Sequence, residues 1–191
     1  MTENRYEFQA NEVVKLNLTT AVIPMTVREV EGTDQVVIYV KADEELTYQC
    51  KLEQGKVKLK FDDIHLDKKE RWDEIKESDQ KIEVELPKDL YLEKFKVSVA
   101  AGEAHVDLPS LKTEKAAFEV GAGKVFVDNL SALRKASFEI GAGSAEMTGL
   151  VFTQDTDVVL ECGVGKVDMA TTGYIKCKVV DKVIQIHIDL S

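Results

Sequence analysis

The sequence predicts an all-β protein: a parallel β-solenoid of about 20-residue two-strand coils with GxG corners, preceded by a less regular N-terminal β portion. Three observations predict it. One pattern is written four times, as KVSVAAGEAHVDL (96–108), AFEVGAGKVFVDN (117–129), SFEIGAGSAEMTG (137–149) and VLECGVGKVDMAT (159–171). The last glycines of the four bends, Gly102, Gly123, Gly143 and Gly165, lie 21, 20 and 22 residues apart, a period that belongs to stacked repeats. Apolar residues alternate with polar ones on both sides of each bend, the period of two of half-buried strands.

The elements follow in chain order. Residues 1–10 read as a polar lead-in. From Val13, Leu16 and Leu18 alternate with Lys15, Asn17 and Thr19, and Ala21 to Val27 continues the strand character, with Pro24 marking an edge or a bend. Glu31 to Asp34 is a turn, followed by the β-branched and aromatic run Val36 to Val40. Tyr48, Cys50 and Leu52 alternate, Gln54-Gly55 turns the chain, and Val57, Leu59 and Phe61 alternate with three lysines on the return. Residues 62–80 break the rhythm. They are dense in both charge signs and are expected to form a charged surface excursion, with a short helical turn near 69–76 and Trp72 laid over the core. Ile82, Val84 and Leu86 restart the alternation, and the repeats begin near Leu92.

Aligned on their glycines, the copies form columns. Val97, Phe118, Phe138 and Leu160 make one apolar column, and Val99, Val120, Ile140 and Cys162 the next. Beyond the bend come Ala104, Val125, Ala145 and Val167, then Val106, Val127, Met147 and Met169. Gly121, Gly141 and Gly163 occupy one corner position, and Gly102, Gly123, Gly143 and Gly165 another. Glycine suits a corner that needs φ > 0, or one where stacked backbones approach closely. A second corner uses Pro109-Ser110, Asp128-Asn129, Thr148-Gly149 and Thr172-Gly173. The tail from Tyr174 to Ile188 alternates again and reads as a shorter final coil, whose open edge is expected to be covered by a second subunit. A single domain over 1–191 is expected, with irregular strands at 12–94, the excursion at 62–80 and regular repeats at 95–188.

Composition bounds the function. With 25 Lys+Arg against 35 Asp+Glu, the net charge of −10 makes the chain acidic and speaks against binding to nucleic acid or anionic lipid. No apolar run is long enough to insert into a membrane. The start, MTENRYEFQANEVV, has neither a basic nor an apolar signal region, so a cytoplasmic location is expected as the sequence stands, and a cell-surface one if an export signal has been removed. Three cysteines, Cys50, Cys162 and Cys177, are too few and too scattered for a disulfide framework or a metal cluster, and read as buried, unreactive thiols.

No catalytic, cofactor-binding or metal site is predicted. GAGK (121–124) and GVGK (163–166) lack phosphate-loop spacing and join strand to strand, with no helix N-terminus to receive an anion. Glu119, Glu139 and Glu161 share an outward column, one strand spacing apart. A solvated ladder, relieved by Lys124 and Lys166 across the bend, is the simpler reading; a cation- or partner-binding stripe is the functional one. Asp62, Asp63, His65 and Asp67 lack calcium-loop spacing. His105, set beside Phe126, and His187 have no recognisable triad partners.

The GxG corners, after the lead-in KIEVELPKDLYLEKFKVSVAAGE (81–103), resemble a bacterial family of β-strand-repeat proteins known as putative adhesins, a domain of unknown function. The resemblance implies a bacterial source and a parallel β-solenoid, and it carries no catalytic residues. The leading expectation is a non-enzymatic structural or interaction module, adhesin-like, with a protein partner or self-association through a solenoid end. The alternatives are a sensor or accessory subunit of an envelope-stress system and, by analogy of fold alone, a carbohydrate-active enzyme.

Overall fold

Alternating burial along nearly every segment makes the chain a succession of strands. The computed structural model describes residues 1–61 and 79–190, with side chains described outside 153–155 and 173–190. Its strands are β1 (Thr2–Gln9), β2 (Lys15–Thr20), β3 (Met25–Val30), β4 (Gln35–Ala42), β5 (Tyr48–Glu53), β6 (Lys56–Phe61), β7 (Lys81–Pro87), β8 (Tyr91–Val99), β9 (Glu103–Val120), β10 (Lys124–Ile140) and β11 (Ser144–Leu190). Among the described residues the only helical piece is a 3-10 turn at Ala10–Glu12. The expected lead-in is a strand: β1 pairs antiparallel with β4 from Thr2 to Gln9. Only Tyr6 and Phe8 of β1 pack against the core, so an edge strand exposed on its other positions shows little hydrophobic period. Residues 62–78 of the excursion, with its helical turn and Trp72, lie outside the described residues, as do the side chains of the tail.

The sheet is mixed and barrel-like. β9 takes part in it twice: Ala104 to Asp107 run beside β3, and Lys112 to Val120 beside β8. The sheet therefore bends within β9, around Pro109, and both arms send alternate residues into one apolar cluster extending from Val13 to Met169. All sixteen residues of the four apolar columns are buried in it. Neighbouring copies pair in parallel, with Phe118 opposite Phe138 and Phe138 opposite Leu160. The Phe118 and Phe138 rings stack at 5.4 Å between centroids, inclined by 5°.

The strands before Leu92 join the same stack, out of chain order. β2 pairs in parallel with β8 and β3 with β9, so residues 15–30 lie directly against the first copy. On their other side β6 pairs in parallel with β2, and β7 with β3. Residues 56–61 and 81–87 thus lie outside residues 15–30. Antiparallel strands finish this end, β5 on β6 and β4 on β7. Side-chain alternation tells which face of a strand is buried but not which strand is its neighbour; hence the N-terminal strands look irregular in the sequence although they are registered in the fold.

Close approach explains the corner glycines. None of the seven has a positive φ; among the described glycines that value is confined to Gly32, Gly55 and Gly149. A Cβ on Gly123 would lie 2.2 Å from the Gly102 carbonyl oxygen, and one on Gly143 2.1 Å from that of Gly123. The same carbonyls accept hydrogen bonds from Lys124 N–H (2.9 Å) and Ser144 N–H (3.0 Å). Each bend is therefore stitched backbone to backbone onto the one before it. The first bend rests on the N-terminal strands in the same way, with Ala100 N–H donating to Thr20 O (3.0 Å) and Ala101 N–H to Ala21 O (2.8 Å).

Candidate functional site

The parallel register converts sequence repeats into columns on the outward face of the arm containing β6, β2, β8 and the later copies. Starting at β6, one column reads Lys56, Lys15, Lys94, Lys115 and Lys135, and ends at Asp157. Two residues further along each strand comes Lys58, Asn17, Lys96, Ala117, Ser137 and Val159. The next column is Thr19, Ser98, Glu119, Glu139 and Glu161. The face is thus basic toward the N-terminal layers and acidic at its opposite corner.

The predicted carboxylates are brought together in register, and with Thr19 and Ser98 they line a shallow groove along Ala100, Gly121, Gly141 and Gly163. Their relief differs from the expectation. Lys166 pairs with Asp168 instead of reaching across the bend. Glu119 accepts hydrogen bonds from Lys96 Nζ and from Ser98 Oγ (3.0 Å), on its own side of the bend. Burial pushes the Glu119 carboxyl up, but the hydrogen bonds from Lys96 and Ser98 and the Lys96 and Lys94 charges outweigh it and hold it below its ordinary value. The column is a stripe and does not converge on a point. Among the described residues no group of three or more His, Cys, Asp or Glu is arranged to hold a metal ion.

Other candidates are dispersed. His105 and Phe126 face outward with their rings stacked at 4.6 Å, and His105 Nε2 lies 2.6 Å from Glu103 Oε1. Asp62, Asp63, His65 and Asp67 lie outside the described residues, as do the side chains of His187 and Cys177. Cys50 is half-buried and its thiol is pushed up to about 12 by burial, while Cys162 is buried in its column.

The lysine column was not anticipated from sequence. Part of it had a signal, since Lys94, Lys115 and Lys135 each stand four residues before Ser98, Glu119 and Glu139. Lys15 and Lys56 had none, because their strands join the stack out of chain order.

No protein-family model matches the chain, and no curated protein matches it. Among solved structures it is similar to a putative cell adhesion protein from Clostridium sporogenes, with a TM-score of 0.51 and 13% identity, over 100% of this chain and 99% of that one. A putative adhesin from Parabacteroides distasonis also aligns, at a TM-score of 0.46 and 14% identity, over 100% of this chain and 94% of that one. The likeness to the Clostridium sporogenes protein is one of fold, and it extends over the whole of this chain.

Proposed function

We propose that this chain is a non-enzymatic, adhesin-like interaction module, built as one parallel β-solenoid of two-strand coils over 1–191. The observation that carries the reading is the register between copies. Equivalent outward residues stand one strand spacing apart across successive layers, and this turns a short sequence pattern into an extended surface of repeated side chains. Such surfaces suit contact with large partners, and the fold shared with a protein named for cell adhesion supports the same reading. Self-association through the C-terminal end of the stack belongs to it, supported by the apolar alternation of Ile184, Ile186 and Ile188 at that end of the sequence.

The test is adhesion measured directly. Beads coated with the full chain should be retained on a layer of bacterial cells under flow, and should lose retention when the chain is unfolded before coating. Equal retention of folded and unfolded coatings would refute the proposal.

A further inference from the structure

We propose that the lysine-bearing sheet face is a docking surface for an anionic lipid bilayer. This goes beyond the adhesion reading and does not depend on it.

The overall charge of −10 conceals a strongly uneven distribution. Lys56, Lys58, Lys60, Lys94, Lys115 and Lys135 all project from one face and form no ion pair among the described residues. In the first column five lysines lie directly opposite one another on neighbouring strands. Like charges so placed oppose folding, and among the described residues Lys15 alone of the five is bridged, to Glu93 at 3.3 Å. A partner that brings distributed negative charge removes this repulsion.

The chemistry of the face selects the kind of partner. At ordinary strand spacing the column of five spans about 20 Å, and the second lysine-bearing column, with Lys58 and Lys96, runs about 7 Å beside it. The patch is broad enough to meet several headgroups at once. Its cations are lysines, compact point charges on flexible stems, suited to a diffuse and mobile array of phosphates. The neighbouring arginine, Arg134, is engaged by Glu114 at 2.6 Å.

Two exposed apolar groups stand at the rim where β2 and β8 begin. Val14 is 38% exposed and Tyr91 50%, and the Tyr91 hydroxyl donates to Glu114 at 2.5 Å. A tyrosine with an apolar body and a polar tip is at home at headgroup depth, beside lysines that reach the phosphates. The acidic corner formed by Glu139, Glu161 and Asp157 is repelled by the same surface. The N-terminal layers therefore approach the bilayer, and the later copies tilt away from it.

Co-sedimentation of the full chain with vesicles tests the proposal. The chain should pellet with vesicles of phosphatidylglycerol and phosphatidylcholine in equal parts, should stay in solution with phosphatidylcholine alone, and should be released as salt rises. Each juxtamembrane lysine is worth about five-fold in binding, so Lys94→Gln with Lys115→Gln should weaken it about 25-fold. Lys124→Gln with Lys166→Gln changes the charge equally at lysines outside these columns and should leave binding within about two-fold of the parent. Thermal unfolding of both pairs verifies that they fold.

No pelleting with the anionic vesicles, equal pelleting with neutral ones, or equal loss in the two pairs would overturn the proposal. Retention of heparin by the chain with no vesicle binding would assign the face to a soluble polyanion and overturn it too.

Discussion

Adding one methyl group at Gly143 should damage the stack out of proportion to its size. A Cβ there would lie 2.1 Å from the Gly123 carbonyl oxygen and 2.8 Å from Val120 Cγ1. Bringing the carbonyl contact to 3.0 Å, still tight, requires the two bends to separate by 3.0 − 2.1 = 0.9 Å. That carbonyl accepts the Ser144 N–H at 3.0 Å, and the separation would draw this bond toward about 3.9 Å, beyond hydrogen-bonding range. Overpacking costs about 1–3 kcal/mol and the weakened backbone bond about 1 kcal/mol, offset by about 0.4–1 kcal/mol from the stiffer unfolded chain. Gly143→Ala should therefore lose about 2 kcal/mol in urea unfolding of the full chain. Gly163→Ala is the comparison. Its Cβ would stand 2.9 Å from the Gly141 carbonyl oxygen, so only 3.0 − 2.9 = 0.1 Å is needed. It should lie within about 0.5 kcal/mol of the parent. Equal stability of Gly143→Ala and the parent, or equal loss from the two variants, would refute the close-approach account of the corners.

Three further outcomes follow from the same geometry. Phe138→Ala removes a buried ring stacked on Phe118 and should cost about 3–5 kcal/mol in the same urea assay, whereas a loss under about 1 kcal/mol would mean that the stack is not packed as described. The Glu29 carboxylate accepts three hydrogen bonds, from Ser110 N–H (2.7 Å), Ser110 Oγ (2.6 Å) and Leu111 N–H (2.7 Å), and so ties β3 to the bend of β9. Glu29→Ala should cost about 2 kcal/mol and speed amide exchange at Ser110 and Leu111, and unchanged exchange there would count against it. The Glu119 carboxyl, held below its ordinary value of 4.5, adds stability that is complete above that pH and is lost as pH falls through the lower folded-state value. Because its side chain is 43% exposed, the contribution stays under about 1 kcal/mol. Lys96→Met should flatten this part of the fall in melting temperature between about pH 6 and about pH 3, and an identical fall in the two proteins would exclude the pairing as its source.

Much of the repeat region was legible before any coordinates. The columns of Phe118 and Phe138, of Val120 and Ile140, and of Met147 and Met169 could be written from alternation and the spacing of the glycines alone, because a period of two has one buried phase. The Glu119, Glu139 and Glu161 stripe followed from the same alignment. The strand Thr2–Gln9 was not legible, since its one-sided contact leaves little apolar period. Nor was the relief of Glu119 by Lys96, a diagonal contact between adjacent layers that depends on how the two strands lie side by side.

Local pattern determined which segments are strands, which side of each strand is buried and where the chain bends, because these depend on a residue and its near neighbours in sequence. Only the tertiary structure decided the order of the layers. Residues 15–30 are enclosed between strands β6 and β7 on one side and residues 91–107 on the other, a choice made by long-range ladder pairing that no local pattern records. The lysine column is a product of that choice: it joins Lys56 and Lys15, distant in the chain, to Lys94, Lys115 and Lys135. Net charge is a sum over the chain, whereas a surface is made by which strands lie side by side, and so an acidic sequence folds to present a basic face.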